Sequence, residues 1–165
     1  MKIENYYKKR KRFYDYVAGF VDGEASFTIS IKKEPTTKYG FAIDPEFKVS
    51  QLKEKAQVLE FIKQAIGCGK IFDKPGQKNM KILVVRNRRQ LAEKVIPFFN
   101  KHKLIVKEQE FKKFSSIVKQ LEQKKQATEK GFLSIVKQAT SDMKNRKYSY
   151  EFVKKNMKRP SETIR

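Results

Sequence analysis

The sequence predicts an α+β domain in which four β-strands carry helices on one face and leave the other face polar and cationic. Two observations lead to this class. Segments of helical and of strand-like character follow one another as helix, two strands, helix, two strands and helix within residues 13–121. Two of the strand-like segments alternate Ser, Thr and Lys with Phe, Ile and Val, so one sheet face is expected to be buried and the other exposed.

The first helix–strand–strand unit is expected within residues 13–51. Residues 13–23 (FYDYVAGFVDG) are apolar with small residues, which favours a mostly buried helix. The alternation in Ser26–Lys33 predicts a strand, and Phe41–Gln51 alternates in the same way. Pro45 indicates a bulge or a sheet edge, because proline has no N–H to give to a neighbouring strand.

The second unit begins with a helix over Glu54–Ile66, whose apolar residues share one face and which Gly67 is expected to end. Lys70–Asp73 and Met80–Arg86 are expected to be strands. The turn-rich segment Pro75–Asn79 joins them, so they predict a hairpin.

Three further helices are expected over Arg89–Phe99, Lys107–Leu121 and Gly131–Met143, from the helical spacing of their apolar residues. The domain prediction is therefore a basic N-terminal arm at 1–12, one domain at 13–143 and a basic, partly ordered C-terminal segment at 144–165.

The charge of the chain predicts a polyanionic partner. The sequence holds 39 Lys and Arg against 18 Asp and Glu, a formal net charge of +21. Nucleic acid is the best candidate, although a ribosomal protein or a membrane-surface binder has the same bulk charge. No apolar run approaches the roughly 18 residues of a membrane span. The single Cys68 and single His102 exclude internal disulfides, multi-cysteine zinc sites and histidine clusters.

The segment that could carry chemistry is the end of the first helix. Ala18, Gly19, Asp22 and Gly23 lie at i, i+1, i+4 and i+5, which allows two such helices to approach closely. Glu24 follows directly, so a helix pair would bring two carboxylates together around a cation. Oxygen ligands favour Mg²⁺, which suits phosphodiester hydrolysis. Taken alone, a glycine in an apolar helix is usually a packing choice, and an acidic residue after a helix is usually only exposed.

The same segment, Ala18-Gly19-Phe20-Val21-Asp22-Gly23-Glu24, resembles the LAGLIDADG motif. The chain as a whole resembles a single-motif LAGLIDADG homing endonuclease, because the αββαββα order agrees over residues 14–121. The segment Glu129–Val136 is also similar to one in the C-terminal helices of that family. The resemblance implies a four-stranded antiparallel, saddle-shaped sheet with helices on one face.

The resemblance also implies roles for individual residues. Two motif helices would pack at the centre and deliver one carboxylate each to a metal site over the DNA minor groove. Glu24 would be the metal ligand beside the Gly23 carbonyl, with Mg²⁺, or another divalent cation such as Mn²⁺ or Ca²⁺, as cofactor. Gln51 would order solvent, and Lys107, or Lys103 under a shifted alignment, would be the basic residue at the cleavage site.

A single motif supplies half of such a site, so the resemblance implies a homodimer on a long pseudo-palindromic target in double-stranded DNA. Its interface would comprise Ala18, Gly19, Asp22 and Gly23. The candidate DNA-binding residues are the outward residues of the strands and their turns: Ser26, Thr28, Ser30, Lys32, Lys48, Ser50, Lys70, Lys74, Asn79 and Lys81. An ordinary solvated sheet face is the alternative interpretation of these ten residues.

The expected function is metal-dependent, site-specific double-strand cleavage of DNA that leaves 3′ overhangs, as in intron homing. The alternative is a non-cleaving RNA maturase or nucleic-acid-binding protein on the same scaffold. A basic structural RNA-binding protein would explain the charge but not the small-residue helix with its carboxylate. The expected location is inside the cell, in the compartment that holds the host gene, because no targeting or membrane segment is visible.

Overall fold

Two helix–strand–strand units follow one another and build one sheet. The computed structural model describes residues 10–141 and 147–159. In chain order the elements of the two units are α1 (Arg10–Glu24), β1 (Ala25–Lys33), β2 (Phe41–Leu52), a 3₁₀ turn (Lys53–Lys55), α2 (Gln57–Ile66), β3 (Lys70–Asp73) and β4 (Met80–Val85). The αββαββ order is therefore confirmed, and Gly67 ends α2 in the left-handed conformation (φ 79°) that glycine adopts without strain.

Helices make up most of the described chain after the second hairpin. They are α3 (Arg88–Gln90), a π-helical turn (Leu91–Val95), α4 (Ile96–Lys101), α5 (Glu108–Glu122), a 3₁₀ turn (Lys125–Ala127), α6 (Glu129–Thr140) and α7 (Tyr150–Asn156). The π-helical turn lies just before Pro97, which cannot donate an N–H to the preceding turn. The helix predicted over Arg89–Phe99 is thus present, with a widened turn inside it.

The sheet is antiparallel with the strand order β1-β2-β4-β3. The β1–β2 register runs from Ala25 opposite Val49 to Lys33 opposite Phe41 without an extra residue, so the bulge predicted at Pro45 is absent. β4 pairs only with residues 47–52 of β2. At Pro45, β2 therefore has a partner on one side alone, and this local edge is where a residue without an N–H is tolerated.

The core lies between the helices and one sheet face. Phe27 is its aromatic centre, because its ring lies 5.1–5.6 Å from those of four other phenylalanines: Phe47, Phe99, Phe111 and Phe114. The inward residues of β1 and β2 alternate with partly exposed ones along both strands. The predicted arrangement of helices on one face of the sheet is therefore confirmed.

Helical residues extend beyond both predicted limits of the domain, residues 13 and 143. α1 begins at Arg10, within the predicted arm, while residues 1–9 lie outside the described part of the chain. The predicted boundary after residue 143 lies outside the described residues, and beyond it Val153 and Met157 belong to the main core. The N–H of Lys158 also donates to the carbonyl of Tyr39 (3.0 Å).

Within residues 10–141 and 147–159, no helix has both the length and the apolar composition needed to cross a membrane.

Candidate active site

The C-terminal end of α1 meets the N-terminal end of α5 through one carboxylate. Oδ2 of Asp22 accepts hydrogen bonds from the N–H groups of Ile105 (2.9 Å) and Val106 (2.9 Å), and Oδ1 accepts one from the N–H of Lys107 (2.8 Å). Such N–H groups at a helix start have no partner within the helix. Asp22 therefore fixes the segment that leads into α5 from a position more than 80 residues earlier in the sequence.

Lys107 makes the reverse contact. Its Nζ donates to the carbonyl of Asp22 (2.5 Å) and to that of Gly23 (3.0 Å), two acceptors in the last turn of α1. Together these contacts form the Asp22–Lys107 clamp, in which an anion lies at one helix N-terminus and a cation at another helix C-terminus. Both placements are favourable for helix dipoles. The clamp positions the α1–β1 junction, where Glu24 lies.

The clamp also sets the ionisation of Asp22. Burial acts to raise the pKa of this carboxyl, which is 9% exposed. The N–H groups of Lys107, Val106 and Ile105 and the Lys107 ammonium act in the opposite direction and hold the pKa below its usual value. Asp22 is therefore an ionised structural carboxylate, and its oxygens are already occupied by donors of the same chain.

Glu24 and Gln51 lie at the same end of the sheet. Glu24 is the last residue of α1 and is exposed, so its carboxylate is accessible to a ligand. Gln51 is two residues beyond Val49, which lies opposite Ala25, so the β1–β2 register places it beside the α1–β1 junction. Its Oε1 accepts the N–H of Leu52 (2.7 Å). The roles of Glu24, Gln51 and Lys107 remain predictions.

The geometry favours Lys107 over Lys103 as the basic residue near Glu24. The Lys107 ammonium contacts the carbonyl of Gly23, the residue immediately before Glu24. Lys103 is exposed and lies in the segment before the residues that Asp22 holds.

A single chain supplies few oxygen ligands for a cation at this point. Within the described ranges, no group of three or more Asp, Glu, His or Cys side chains could hold a metal ion. The candidate donors at the α1 end are the Glu24 carboxylate and the Gly23 carbonyl, whose second lone pair is free for another ligand although Lys107 donates to it. Both are hard oxygen donors of the kind that Mg²⁺ prefers, so they fit half of a shared site.

The predicted dimer-interface residues divide into two pairs. Gly19 and Gly23 are exposed, and a Cβ atom added at either position would meet nothing within 4 Å. Ala18 and Asp22 are buried within the chain, and Asp22 is held by the clamp. Ala18 and Asp22 thus occupy the inner side of α1, while the two glycines form an open strip on its outer side, and the dimer interface stays a prediction.

Eight of the ten candidate DNA-binding residues lie on the outward sheet face or at the β3 end of the hairpin turn. On β1 and β2, Ser26 lies opposite Lys48 and Thr28 opposite Glu46, with all four side chains outward. The outward or turn-proximal residues are Ser26, Thr28, Ser30, Lys32, Lys48, Ser50, Lys70 and Lys74. Asn79 lies at the other end of the turn and is exposed.

Lys81 was predicted to face outward, and the register shows that this is wrong. Lys81 lies two residues before Leu83, an inward core residue, and opposite Gln51 and Asp73. Its Nζ is 3.2 Å from Asp73 Oδ1, and Lys53 Nζ is 2.9 Å from Asp73 Oδ2. These two ammonium groups lower the pKa of Asp73. On β4 the outward side chains are those of Ile82 and Val84. Lys81 alternates with them, so its side chain lies on the inward side.

The outward face is less purely cationic than the sequence suggested. Asp44 pairs with Lys32 (3.0 Å), and Glu46 pairs with Lys48 (3.4 Å) and with Arg86. Arg86 was missed as a candidate, although it continues the outward alternation of β4. Arg88 was also missed, and its guanidinium donates to the Ile43 carbonyl (2.9 Å) on the side of β2 that β4 leaves unpaired.

The lone cysteine and histidine serve packing. Cys68 is buried, and that burial raises the pKa of its thiol although Lys94 opposes the effect, so it is a poor nucleophile. The His102 ring lies 4.8 Å from the Phe98 ring and 5.1 Å from the Tyr14 ring.

Comparison with known proteins relates this geometry to a family. A family model described as LAGLIDADG endonuclease matches residues 17–118. The chain is 41% identical over 87 residues to DNA endonuclease I-CeuI of Chlamydomonas moewusii. The aligned residues are 53% of this chain and 40% of that relative. It is 38% identical over 103 residues to homing endonuclease I-ApeII of Aeropyrum pernix. The aligned residues are 62% of this chain and 60% of that relative. The chain therefore spans less than two thirds of the length of these relatives.

A solved structure extends the similarity to most of the fold. The chain superposes on the archaeal intron-encoded homing endonuclease I-Vdi141I, complexed with DNA, with a TM-score of 0.81 and 33% identity. The superposition covers 87% of this chain and 93% of that protein.

Proposed function

Because the chain belongs to the LAGLIDADG endonuclease family, we propose that it is a site-specific, divalent-metal-dependent DNA endonuclease that acts as a homodimer. The observation that carries the proposal is the α1–β1 junction. An accessible Glu24 there follows Gly23, whose carbonyl is 3.0 Å from the Lys107 ammonium. A carboxylate for a cation and a fixed ammonium for a phosphate are thereby combined at one helix end.

Double-stranded DNA is the proposed substrate. A chain of net charge +21 has a strong affinity for polyphosphates, and the outward sheet face carries Lys, Arg, Ser and Thr side chains. A two-stranded ribbon fits the major groove, where such side chains reach base edges. The name of I-ApeII as a homing endonuclease and the DNA complex of I-Vdi141I support this substrate. The proposed site of action is the compartment that holds the target gene.

The proposed roles follow from the positions of the side chains. The metal, proposed to be Mg²⁺, would stabilise charge on the scissile phosphate and activate water. Glu24 would hold the cation together with the Gly23 carbonyl. Lys107 neutralises developing negative charge on the phosphate, and Gln51, at the end of β2, orients the attacking water. The Asp22–Lys107 clamp holds the Lys107 ammonium at the Gly23 carbonyl before DNA arrives.

A second copy completes the site. One chain contributes one accessible acidic ligand at this end of α1, and the open strip of Gly19 and Gly23 allows another α1 to approach closely. A two-fold axis beside this strip would bring two Glu24 carboxylates together, and the cation between them would offset their repulsion. Such a dimer would read a pseudo-palindromic target and cut both strands with 3′ overhangs.

Selection from a randomised duplex library, followed by a cleavage assay, tests the proposal. We expect that the selected duplex is cut on both strands when Mg²⁺ or Mn²⁺ is added, that EDTA prevents the cut, and that end mapping shows 3′ overhangs. A wild-type protein that binds the selected duplex but never nicks it with either metal would overturn the nuclease assignment and leave the nucleic-acid-binding alternative. A protein that selects no duplex would overturn DNA recognition as well.

Replacing Gly19 with Leu should affect folding and dimerisation in opposite directions. A side chain at position 19 meets no atom of its own chain within 4 Å, and leucine is a better helix former than glycine by about 1 kcal/mol. The free energy of unfolding, measured by denaturant at concentrations where both proteins are monomeric, should therefore stay equal or rise. The same side chain would hold two α1 helices apart, so the dimer dissociation constant from analytical ultracentrifugation should rise at least about tenfold.

The matched control for Gly19→Leu is Ser134→Leu, which adds the same side chain at an exposed position of α6. This control should dimerise and cleave as the wild type does. A Gly19→Leu protein that still dimerises and cleaves at the wild-type level would show that α1 does not pack against α1.

A further inference from the structure

One part of the outward sheet face is apolar. Ile82 is 7% exposed and Val84 is 5% exposed, yet neither belongs to the main core that contains their neighbours Leu83 and Val85. Because successive residues of a strand point to opposite faces, Ile82 and Val84 point away from the helices, toward the same side as Lys48 and Ser50. The side chains around them bury them on the face that is otherwise polar.

These two residues are part of a larger group, here called the outer apolar patch. The register places Leu52 opposite Met80 and Phe72 opposite Ile82, all on the outward side. Its members are Leu52, Phe72, Met80, Ile82 and Val84. Leu52 is 40% exposed, Phe72 is 36% exposed and Met80 is half-buried, so Leu52 and Phe72 are the members most accessible to a ligand.

Cationic side chains border the outer apolar patch. Val84 lies opposite Lys48 on one neighbouring strand and opposite Lys70 on the other, so a lysine lies on each side of it. Lys74 follows Phe72 by two residues. A ligand that matches this surface must therefore present negative charge on both sides of an apolar feature.

The major groove of DNA has this chemistry. Its walls are phosphates, and on its floor the C5-methyl group of thymine is the apolar feature among the base edges. A second copy of this chain fits poorly, because a symmetric contact through the patch would place Lys48 and Lys70 close to their own counterparts.

We propose that the outer apolar patch reads thymine methyl groups in the major groove, with Phe72 and Leu52 making the contacts. The proposal rests on the proposed function, because it requires duplex DNA on this sheet face. It assigns a chemical preference to the part of the interface formed by β3, β4 and the end of β2: thymines at fixed positions in each half-site, recognised by shape and burial. The β1–β2 part, with Ser and Thr hydroxyls and Lys32, contributes hydrogen bonds instead.

The test uses the wild-type protein and DNA duplexes from which one thymine methyl group at a time is removed. A duplex selected from a randomised library is synthesised with each thymine replaced in turn by uracil, which lacks only the methyl group. Dissociation constants are measured at fixed salt without divalent cations, so that no strand is cut. We expect binding to weaken about fourfold at one or two positions in each half-site, the effect of removing one buried methyl group from a contact.

The variant Phe72→Ser tests whether the outer apolar patch causes the preference for thymine over uracil. It should make affinity for the thymine and uracil duplexes equal at one of those positions. The matched control is Phe152→Ser, since Phe152 is 37% exposed but lies on α7, and it should keep the wild-type preference.

Two outcomes contradict the inference in distinguishable ways. Equal binding of thymine and uracil duplexes at every position, by a wild-type protein that still binds its selected site, would overturn the reading of methyl groups and leave the proposed function intact. It would also favour a protein partner for the patch. Failure of the wild-type protein to select any duplex would overturn both proposals.

Discussion

Replacing Glu24 with Gln is expected to abolish DNA cleavage while DNA binding is retained. The substitution keeps the size of the side chain but removes the negative charge that would hold a divalent cation beside the Gly23 carbonyl. Loss of one such stabilising group from the transition state slows a reaction by a factor of about 100 or more. Glu24 is exposed and lies outside the Asp22–Lys107 clamp contacts, so folding should not change. Single-turnover cleavage and the dissociation constant for the same duplex are the two measurements.

The control for Glu24→Gln is Glu122→Gln, which makes the same change at the exposed C-terminal end of α5. It should cleave at the wild-type rate. Wild-type cleavage by Glu24→Gln would show that the cation ligand is another residue. Parallel loss of binding and cleavage would show that Glu24 serves DNA affinity and not the chemical step.

Replacing Asp22 with Asn should destabilise the fold by about 2–3 kcal/mol at pH 7. The carboxylate accepts three backbone N–H bonds through two oxygens. An amide has one acceptor oxygen, so its NH₂ group would face an N–H of the segment that leads into α5. The substitution would also remove the negative charge of Asp22, which interacts favourably with the Lys107 ammonium. Denaturant unfolding of both proteins measures the difference.

The stability difference between wild type and Asp22→Asn should depend on pH in a defined direction. The folded pKa of Asp22 is lowered relative to the unfolded chain, so its contribution is fully present above the unfolded value of about 4. It is lost as the pH falls through the folded pKa. The difference measured at pH 7 should therefore shrink below pH 4, and an unchanged difference at low pH would contradict the ionised state of Asp22.

Asp44→Asn is the matched control for this experiment. Asp44 pairs with Lys32 at 3.0 Å, but both side chains are exposed. Exposed pairs of this kind contribute between zero and about 1 kcal/mol, because solvent screens them. A loss for Asp44→Asn as large as that for Asp22→Asn would show that the α1–α5 clamp has no special role.

Periodicity predicted most of the secondary structure, because the local pattern and the tertiary environment agree in these segments. The strand β3 was predicted with its observed ends, and α2 ended at Gly67 as expected. The segment after residue 143 is poor in apolar residues, because lysines surround Val153 and Met157 and lower the average hydropathy. The helix that carries Val153 packs against α6, and the N–H of Lys158 bonds to Tyr39; no local pattern shows such distant partners.

The candidate site was predictable in composition but less so in orientation. The small residues lie on α1, yet residues at i and i+1 lie on different sides of a helix, which separates Ala18 from Gly19. Lys81 was assigned to the wrong face because a lysine in a strand suggests an exposed side. The β4 register depends on pairing with β2 and β3, which the strand alone does not determine.

The sequence separation within the Asp22–Lys107 clamp has a consequence for biosynthesis. Its partners are 83–85 residues apart, so a nascent chain on the ribosome cannot close the contact until α1, the whole sheet and α4 have emerged from the exit tunnel. The N-terminal part is synthesised first, and the last carbonyls of α1 lack their Lys107 partner until that residue has emerged. The contact that positions the α1–β1 junction therefore forms only after residue 107 has left the exit tunnel.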